Sequence, residues 1–453
     1  MKASSIRCSG PAARATPAVA IIASSMVALM LASTTRDVRA EPLSAATVFA
    51  SAGTYTVQVR SVVSQPFGQE DTGVRMGAGF VVDAKRGWVL TNAHVVARSP
   101  SRVAVSFQGE PFAPATKRYV DPLMDLAVVD IGRSLPPERE ATLDCGGAPE
   151  IGHPVGAYGH PRGQKYTGTR GILSRVARNL GGEMLQIDAA INGGNSGGPL
   201  LSLETGHVLG VNTSKLSGSQ GLNFALPAAH ACRILAMLRD GVEPLPPELP
   251  VSFFEDTDDR GVLKVAKAYG RAADGFLPGD IVLGLNPDKP VADEKSLLHS
   301  LRGMSRFTVF VRRAGEVVPV TVATRLARAP TQATGLAFGG LVVSEWTTDT
   351  GTVVAVDHVH RGSDAQAQSY KYRDVLLSVD GKPVDSLASL RTQLGRRGGR
   401  VAVVVLRGWY LPPSMRRYYE KTLEYEPVRV VGAPPRSSGK QAVREPVRPR
   451  VSG

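Results

Sequence analysis

Residues 41–240 consist of short apolar or β-branched runs that alternate with Gly, Pro and Asn. Runs of this length between turn-forming residues are typical of an all-β domain. They include Tyr55–Val63, Gly77–Val82, Trp88–Thr91, Arg102–Phe107, Leu126–Ile131 and His207–Asn212. A helical period first occurs at Ala228–Leu238, where we expect a closing helix. The pattern predicts one all-β domain over residues 41–245.

A Pro-rich linker, residues 241–250, separates this domain from a weak internal repeat of about 94 residues. The first copy contains Pro278–Asn286 and the second contains Tyr372–Asp380, and leucines at helical spacing follow each. The repeat predicts two small α+β domains, at residues 246–328 and 329–426. Residues 427–453 are rich in Pro and Arg, and we expect a disordered basic tail there.

The first 40 residues have the composition of an export signal. Arg7 and Arg14 precede an apolar run, and Val38-Arg39-Ala40 offers a cleavage site after small residues. If residues 1–40 are not removed, the uncharged stretch Ala15–Thr35 has 21 residues, enough to anchor the chain in a membrane. Either outcome places the remaining chain outside the cytoplasm, in a periplasmic or similar compartment.

Export also bears on the three cysteines. Cys8 leaves with a cleaved signal, which leaves Cys145 and Cys232 in an oxidising compartment. The two residues either pair or remain as isolated buried thiols, and the sequence leaves both alternatives open.

The formal net charge of +13 is concentrated at the two ends of the chain. The first 40 residues hold five basic residues and one acidic residue, and residues 427–453 hold six basic residues and one acidic residue. The body between them is close to neutral, so we do not expect nucleic acid as a partner.

Three residues in the all-β domain form a pattern that indicates chemistry. His94 lies in Thr-Asn-Ala-His-Val-Val, Asp125 in Asp-Leu-Ala-Val-Val, and Ser196 in Gly-Gly-Asn-Ser-Gly-Gly-Pro. The order His, Asp, Ser in about 200 all-β residues is that of a chymotrypsin-like double β-barrel. Asp121 and Asp130 compete for the role of the carboxylate. We favour Asp125 because an apolar strand that would anchor it follows directly.

The residue types match nucleophilic catalysis. A serine hydroxyl becomes a nucleophile when a neutral imidazole takes its proton, and a carboxylate orients that imidazole. We therefore expect Ser196 to be the nucleophile, His94 the general base and then acid, and Asp125 the orienting group. The amides of Gly194 and Ser196 would hold the oxyanion.

With these motifs the chain resembles the HtrA/Deg family of trypsin-like serine proteases with C-terminal PDZ domains. Residues 50–240 carry the resemblance well and residues 250–424 carry it loosely. It implies a homotrimer built from protease domains and substrates that are unfolded or misfolded polypeptides. It also implies PDZ domains that capture peptide C-termini or exposed segments.

Several positions depart from the family pattern. Gly193 stands where proline is usual, which suggests a more mobile oxyanion loop, and Phe67–Thr72 is short where some relatives carry a long regulatory loop. Arg373 replaces a glycine, so the second PDZ-like domain is divergent. Its candidate peptide-binding loop comprises Gly339, Gly340 and Leu341.

Two expectations follow from residues near Ser196. Asn195 offers no carboxylate to a newly cut N-terminal amine, so we expect activity to depend on loop order rather than on zymogen cleavage. Ala190 stands where a carboxylate would select Lys or Arg. With Val211 nearby, it predicts a substrate pocket for Val, Ala, Ile or Leu.

The leading hypothesis is thus an extracytoplasmic serine endopeptidase without metal or cofactor. His358 and His360 share a strand face but lack an evident third ligand. One alternative is a membrane-anchored regulatory protease that cuts a single partner. Another is a chaperone or scaffold with a dormant active site. The natural substrate and the activating signal remain open.

Overall fold

The structure is a computed structural model of the 453-residue chain. It describes residues 43–64, 66–67, 70–160, 166–177, 183–213, 223–254, 262–268, 275–291, 293–327, 334–348, 351–395, 398–408 and 416–432. The predicted export signal and residues 433–453 of the predicted tail lie outside these ranges.

The first half of the all-β domain is a closed six-stranded barrel in the order β1-β2-β3-β6-β5-β4. The strands are β1 (Thr56–Val63), β2 (Gly73–Asp83), β3 (Trp88–Thr91), β4 (Ser101–Ser106), β5 (Ala113–Asp121) and β6 (Leu126–Asp130). A short helix, α2 (Ala93–Val96), follows β3. Buried apolar residues of these strands, among them Val57, Phe80 and Leu90, belong to one apolar core.

The second half is another closed barrel, in the order β10-β11-β12-β9-β8-β7. Its strands are β7 (Pro154–Gly159), β8 (Thr167–Ala177), β9 (Met184–Ile187), β10 (Pro199–Ser202), β11 (Val208–Thr213) and β12 (Asn223–Pro227). A 3-10 turn at Pro137–Arg139 lies between the barrels, and α3 (Ala228–Arg239) follows the second. The predicted double barrel and closing helix are both confirmed.

Helix α1 (Ala45–Tyr55) was not expected, because we interpreted residues 41–227 as β structure. Ser44 caps it by accepting a hydrogen bond from the amide of Thr47 at 3.1 Å. Val48, Ala52 and Tyr55 are its buried residues. Their spacing of four and three residues is helical, but alanine and threonine between them obscure the period.

The structure decides the question of the cysteines. Cys145 and Cys232 form a disulfide that joins the segment before β7 to α3 across 87 residues of sequence. The chain after α3 is also held to the first barrel. Arg118 pairs with Glu243 at 2.8 Å, and the hydroxyl of Tyr119 donates to the carbonyl of Pro244 at 2.9 Å. The linker is therefore bound at its start to the first barrel.

The first C-terminal module spans the described residues between 246 and 327. Its elements are β13 (Val251–Phe253), β14 (Val265–Ala268), β15 (Ile281–Gly284), α4 (Glu294–Ser300), β16 (Arg306–Arg313) and β17 (Glu316–Ala323). Pro247 bridges to Leu326, so the end of the linker belongs to this module. Its own apolar core includes Val265, Leu297 and Val309.

The second C-terminal module spans the described residues between 334 and 432. Its elements are β18 (Thr334–Phe338), β19 (Leu341–Thr348), β20 (Gly351–Val359), α5 (Asp364–Ala367), β21 (Val375–Val379), β22 (Lys382–Pro383), α6 (Leu387–Leu394), β23 (Gly399–Arg407), β24 (Arg417–Tyr425) and β25 (Arg429–Gly432). The sheet order is β24-β23-β21-β20-β19-β18-β25, with β22 beside β21. Placing β25 in the tail was wrong, because its backbone pairs with β18 and Val431 is buried.

The two modules repeat one ion pair at the same spacing. Arg313 donates two hydrogen bonds to Asp280, from Nε and Nη2, at 2.9 and 2.7 Å from the two carboxylate oxygens. Arg407 grips Asp374 in the same way, with both contacts at 2.7 Å. Asp280 and Asp374 directly precede β15 and β21, and Arg313 and Arg407 end the neighbouring strands β16 and β23. This shared contact agrees with the interpretation of a duplicated unit.

Within the described ranges, the second module contacts the all-β domain through the aromatic side chain of Phe67. Phe67, in the short segment between β1 and β2, packs against Ala337, Val342 and Val431. A Cβ at Gly335 would lie 2.6 Å from the Phe67 ring, so the ring rests directly on that backbone. The contact is apolar and lies on the face of the sheet opposite the module's main core.

None of the helices in the described ranges has the length and apolar character needed to cross a membrane.

Candidate active site

His94 is placed by the short helix that follows β3. Asn92 precedes this helix, and its side-chain Nδ2 donates to the carbonyl of Asp125 at 2.9 Å. The amide of Ala93 donates to the same carbonyl at 3.1 Å. The loop that carries Asp125 is therefore bound to the start of the His94 helix by its backbone as well as by its side chain.

Asp125 holds His94 through both carboxylate oxygens. Oδ1 accepts from the backbone amide of His94 at 3.0 Å, and Oδ2 lies 2.8 Å from His94 Nδ1. Thr213 adds a third contact, because its hydroxyl donates to Oδ2 at 3.3 Å. Sequence reasoning missed Thr213, since only the folding of the second barrel against the first brings β11 to this carboxylate.

The other two candidate carboxylates have different partners. Asp130 Oδ1 accepts from the amide of Gly132 at 2.7 Å in a local turn. Asp121 is buried, and its contacts are to Leu123, Met124 and Arg302. The structure thus places Asp125, and neither competitor, against His94. Asp125 has φ of 52°, a left-handed conformation that Asp adopts more readily than most residues.

The chain after the His94 helix is held on both its amides and its carbonyls. The Glu70 carboxylate accepts from the amides of Arg98 and Ser99 at 2.9 and 2.8 Å, and also from the Ser99 hydroxyl. Lys117 Nζ donates to the carbonyls of Ala97 and Ser99 at 3.1 and 2.6 Å. Burial lowers the pKa of Lys117 to about 8. These contacts restrict movement of the helix that carries His94.

Ser196 lies between β9 and β10, on the side of the second barrel that faces the first. Its carbonyl accepts from the amide of Ala78 at 2.8 Å. The next residue, Gly197, has no room for a side chain, because a Cβ would lie 2.2 Å from Thr91 Oγ1. Ser196 is thereby packed against the strand that leads to His94. Within the described residues its hydroxyl makes no hydrogen bond to His94, and catalytic contacts of this kind often tighten only in complexes.

The amides expected to hold the oxyanion have no competing acceptor. Across the described ranges, no group accepts a hydrogen bond from the amide of Gly194 or of Ser196. Gly194 has φ of 105°, which favours glycine, and its carbonyl accepts from His160 at 3.3 Å. A Cβ at Gly193 would meet nothing within 4 Å, so packing does not require a glycine at that position.

Asn195, which lies between Gly194 and Ser196 in the chain, is fully buried. Among the described residues, none forms a hydrogen bond with its side-chain oxygen or nitrogen. A carbon at the Cβ position of Gly159 would come within 2.9 Å of the Asn195 oxygen, so this side chain is closely packed.

The two residues predicted to line a substrate pocket have different environments. Ala190 is exposed, and its carbonyl accepts from the Thr169 hydroxyl at 2.8 Å. Val211 is fully buried in β11, where it pairs with Pro199 and Leu226. Of these two residues, only Ala190 is exposed to solvent.

The predicted peptide-binding residues of the second module form a tight turn. Gly339 and Gly340 join β18 to β19, with φ of 54° and 82°, as a two-residue hairpin requires. Strand β19 pairs with β18 on one side and β20 on the other, so its backbone edges are both occupied. Gly339, Gly340 and Leu341 do border a cavity of about 730 Å³. Charged residues that also line this cavity are Asp364, Arg400, Glu424, Glu426 and Arg429.

No group of three or more His, Cys, Asp or Glu side chains in the described part of the chain is placed to hold a metal ion.

Two closed barrels, a hydrogen-bonded His94–Asp125 pair and a serine in the sequence Asn195-Ser196-Gly197 indicate the class of this domain. Residues 77–211 match the model of the trypsin-like peptidase domain. The chain therefore contains a trypsin-like peptidase domain.

The relatives narrow this class. The chain is 28% identical over 361 residues to the periplasmic pH-dependent serine endoprotease DegQ of Escherichia coli, a match that covers 74% of this chain and 78% of DegQ. It is 29% identical over 371 residues to the periplasmic serine endoprotease DegP of Salmonella typhimurium, covering 75% of this chain and 76% of DegP. The solved structure of the HtrA-type protease AlgW with a tripeptide matches with a TM-score of 0.51 and 27% identity, covering 63% of this chain and 98% of that chain. The chain is thus similar, over about three quarters of its length, to the DegP and DegQ serine endoproteases.

Proposed function

We propose that the chain is an extracytoplasmic endopeptidase that degrades unfolded or misfolded polypeptides, with Ser196, His94 and Asp125 as its catalytic residues. The observation that carries the proposal is the double contact of Asp125 with His94, at 3.0 Å to the amide and 2.8 Å to Nδ1. A carboxylate on Nδ1 leaves Nε2 as the nitrogen that can take a proton from serine.

The proposed reaction is acyl transfer to Ser196. Its Oγ attacks the scissile carbonyl while His94 Nε2 takes the hydroxyl proton, and the amides of Gly194 and Ser196 stabilise the oxyanion. His94 then gives the proton to the leaving amine, and water hydrolyses the acyl-enzyme by the same route. The amides of Gly194 and Ser196, to which no acceptor in the described ranges is bound, support this role.

The proposed substrate preference rests on Ala190. Ala190 is exposed, and the absence of a carboxylate at that position supports a pocket for small aliphatic side chains. Val211 is fully buried, so we leave it out of the proposed pocket. Cleavage products whose C-terminal residue is Val, Ala, Ile or Leu would support this preference. Products with C-terminal Lys or Arg would exclude it.

We also propose that the two C-terminal modules are PDZ-like domains that bind polypeptide ends, and that the chain is exported and forms a homotrimer. The cavity beside Gly339–Leu341 is the candidate site for peptide ends in the second module. Relatives named as periplasmic support export. N-terminal sequencing tests signal cleavage, and sedimentation equilibrium tests the trimer.

The deciding experiment is digestion of reduced casein by the wild-type protein and by Ser196→Ala, with Ser134→Ala as an exposed-serine control. We expect loss of cleavage only in Ser196→Ala, and labelling by a fluorophosphonate only where Ser196 is present. Equal cleavage by all three proteins would exclude Ser196 as the nucleophile. Absence of cleavage by all three, with aggregation still suppressed, would favour the chaperone alternative.

A further inference from the structure

Arg302, the second residue after α4 in the first C-terminal module, has a fully buried side chain. Its guanidinium donates to four acceptors, three of them outside the module. Nη2 lies 2.5 Å from Asp121 Oδ2, and Nη1 lies 2.9 Å from the Tyr119 hydroxyl and 2.6 Å from the Pro244 carbonyl. Nε donates to Nδ1 of His299 at 2.9 Å. A buried charge needs this kind of full satisfaction to be tolerated.

The Asp121 carboxylate, which binds Arg302, also forms hydrogen bonds within the turn that precedes Asp125. Asp121 Oδ1 accepts from the amides of Leu123 and Met124, at 3.0 and 3.3 Å. These residues immediately precede Asp125, and β6 begins directly after it. One oxygen of Asp121 therefore holds Arg302 while the other holds the turn that presents Asp125 to His94.

The cost of burying the charged Asp121 carboxylate makes the conformation of this turn depend on Arg302. Burial raises the pKa of the Asp121 carboxyl, and the guanidinium and the two amides oppose that rise. Without Arg302, the carboxylate would remain buried beside the Tyr119 hydroxyl with its charge uncompensated. It would then have to take up a proton, or the turn would have to open toward water.

We propose that Arg302 is a positioning residue of the protease active site, supplied by the first C-terminal module. By neutralising and orienting Asp121, it keeps the Asp121–Asp125 turn in the conformation in which Asp125 holds His94. Peptide-bond cleavage then depends on docking of this module. The inference rests on the proposed roles of His94, Asp125 and Ser196.

The chain offers a matched control for loss of an arginine in the same module. Arg313 pairs with the buried carboxylate of Asp280 through two contacts, and that pair lies within the module. Arg313→Met therefore leaves a carboxylate unpaired without touching the catalytic loop. Arg325, whose pair with Glu248 is exposed, provides a second control for surface charge.

The test compares Arg302→Met, Arg302→Lys, Arg313→Met and Arg325→Met in the full-length protein. Initial rates on labelled reduced casein give kcat and KM, fluorophosphonate labelling reports the reactivity of Ser196, and thermal unfolding confirms folding at the assay temperature. We expect Arg302→Met to lower kcat about tenfold to a hundredfold, with KM within about twofold of the wild type. Labelling should slow in parallel, and Arg302→Lys should recover part of kcat.

Arg313→Met should lower the melting temperature yet keep kcat within about twofold of the wild type. Two results would overturn the proposal: an unchanged kcat in Arg302→Met, or an equal loss of kcat in Arg313→Met. If Arg302→Met is unfolded, Arg302→Lys decides, because an unchanged kcat in that variant also overturns it. The Ser196→Ala variant distinguishes an error in the role of Arg302 from an error in the proposed function. If Ser196→Ala still cleaves casein, Ser196 is not the nucleophile and the proposed function itself is wrong.

Discussion

The first C-terminal module meets the protease domain through a buried guanidinium, whereas the second meets it through an aromatic ring. Arg302 satisfies a carboxylate, a hydroxyl and a carbonyl of the protease domain and its linker. Phe67 rests on small apolar residues of the second module's sheet. The modules repeat the same internal ion pair, so the difference lies in how each docks.

The difference bears on the two catalytic partners separately. Arg302 reaches the turn before Asp125 through the carboxylate of Asp121. Phe67 reaches the chain after His94, because its amide donates to the Ser99 hydroxyl at 2.7 Å. Hydrogen bonds to a charge depend steeply on distance and angle, while apolar contact changes gradually with displacement. The first contact can therefore control geometry closely, and the second chiefly adds stability.

The largest expected effect concerns the disulfide that anchors α3. This helix supports the first module, since Arg233 donates to the Ser300 carbonyl at 2.8 Å and Met237 lies against Gly303. The Cys145→Ser/Cys232→Ser variant should lose about 3 kcal/mol of the free energy of unfolding, because the bridge closes a long loop. Denaturant unfolding measures this loss.

Hydrogen exchange then locates the effect. In the double cysteine variant, amides of α4 should exchange faster, while those of β18 and β19 should not change. Reductant should reproduce the effect in the wild type and do nothing further to the variant. Equal acceleration in both modules would contradict the difference in docking.

The second prediction concerns acid. Burial, with a contribution from nearby His230, Arg302 and Arg233, lowers the pKa of His299 to about 2. The unfolded chain therefore binds the proton first, and stability is lost as pH falls below about 6.5. Acidification from pH 7 to 5 should cost about 2 kcal/mol through this residue. His299→Gln, which keeps an acceptor for Arg302, should remove most of that loss in denaturant unfolding. If the stability of His299→Gln depended on pH in the same way as that of the wild type, the assignment of this loss to His299 would be wrong.

The third prediction concerns the apolar contact. Phe67→Ala should cost about 1–2 kcal/mol of stability, because the ring is half-buried against the second module. It should change kcat by less than about twofold, in contrast to Arg302→Met. Thermal unfolding and casein kinetics measure both effects, with exposed Phe254→Ala as the control. A kcat loss as large as that of Arg302→Met would abolish the distinction between the two contacts.

The smallest effect has the opposite sign in the second module. Burial raises the pKa of Asp357 to about 6, against hydrogen bonds from Ser344 and Trp346. The folded module therefore holds this proton more tightly, and the contribution is lost as pH rises through 6. Acidification from pH 7 to 5 should stabilise the module by about 1 kcal/mol, measured by hydrogen exchange in β20 with correction for intrinsic rates. Asp357→Asn should lack this gain.

Much of the fold was predictable because it depends on local pattern. Strand β3 matches the predicted run residue for residue, and most other predicted strands differ from those observed by a few residues at the ends. Helix α1 was missed because the buried residues Val48 and Ala52 are separated by residues with little helical contrast. Strand β25 was missed because so short a run becomes a strand only beside β18.

Some features of the candidate site were likewise predictable from local sequence, and others were not. The order of His94, Asp125 and Ser196, and the spacing of the two modules, follow from the linear sequence, because motifs and repeats are local in the chain. Only the tertiary structure decided which aspartate meets His94, that Thr213 joins them, and that Cys145 and Cys232 pair. It also turned Asp121 from a competing carboxylate into the partner of Arg302. That contact joins residues 181 positions apart, and no local pattern reports which buried charges meet across a domain boundary.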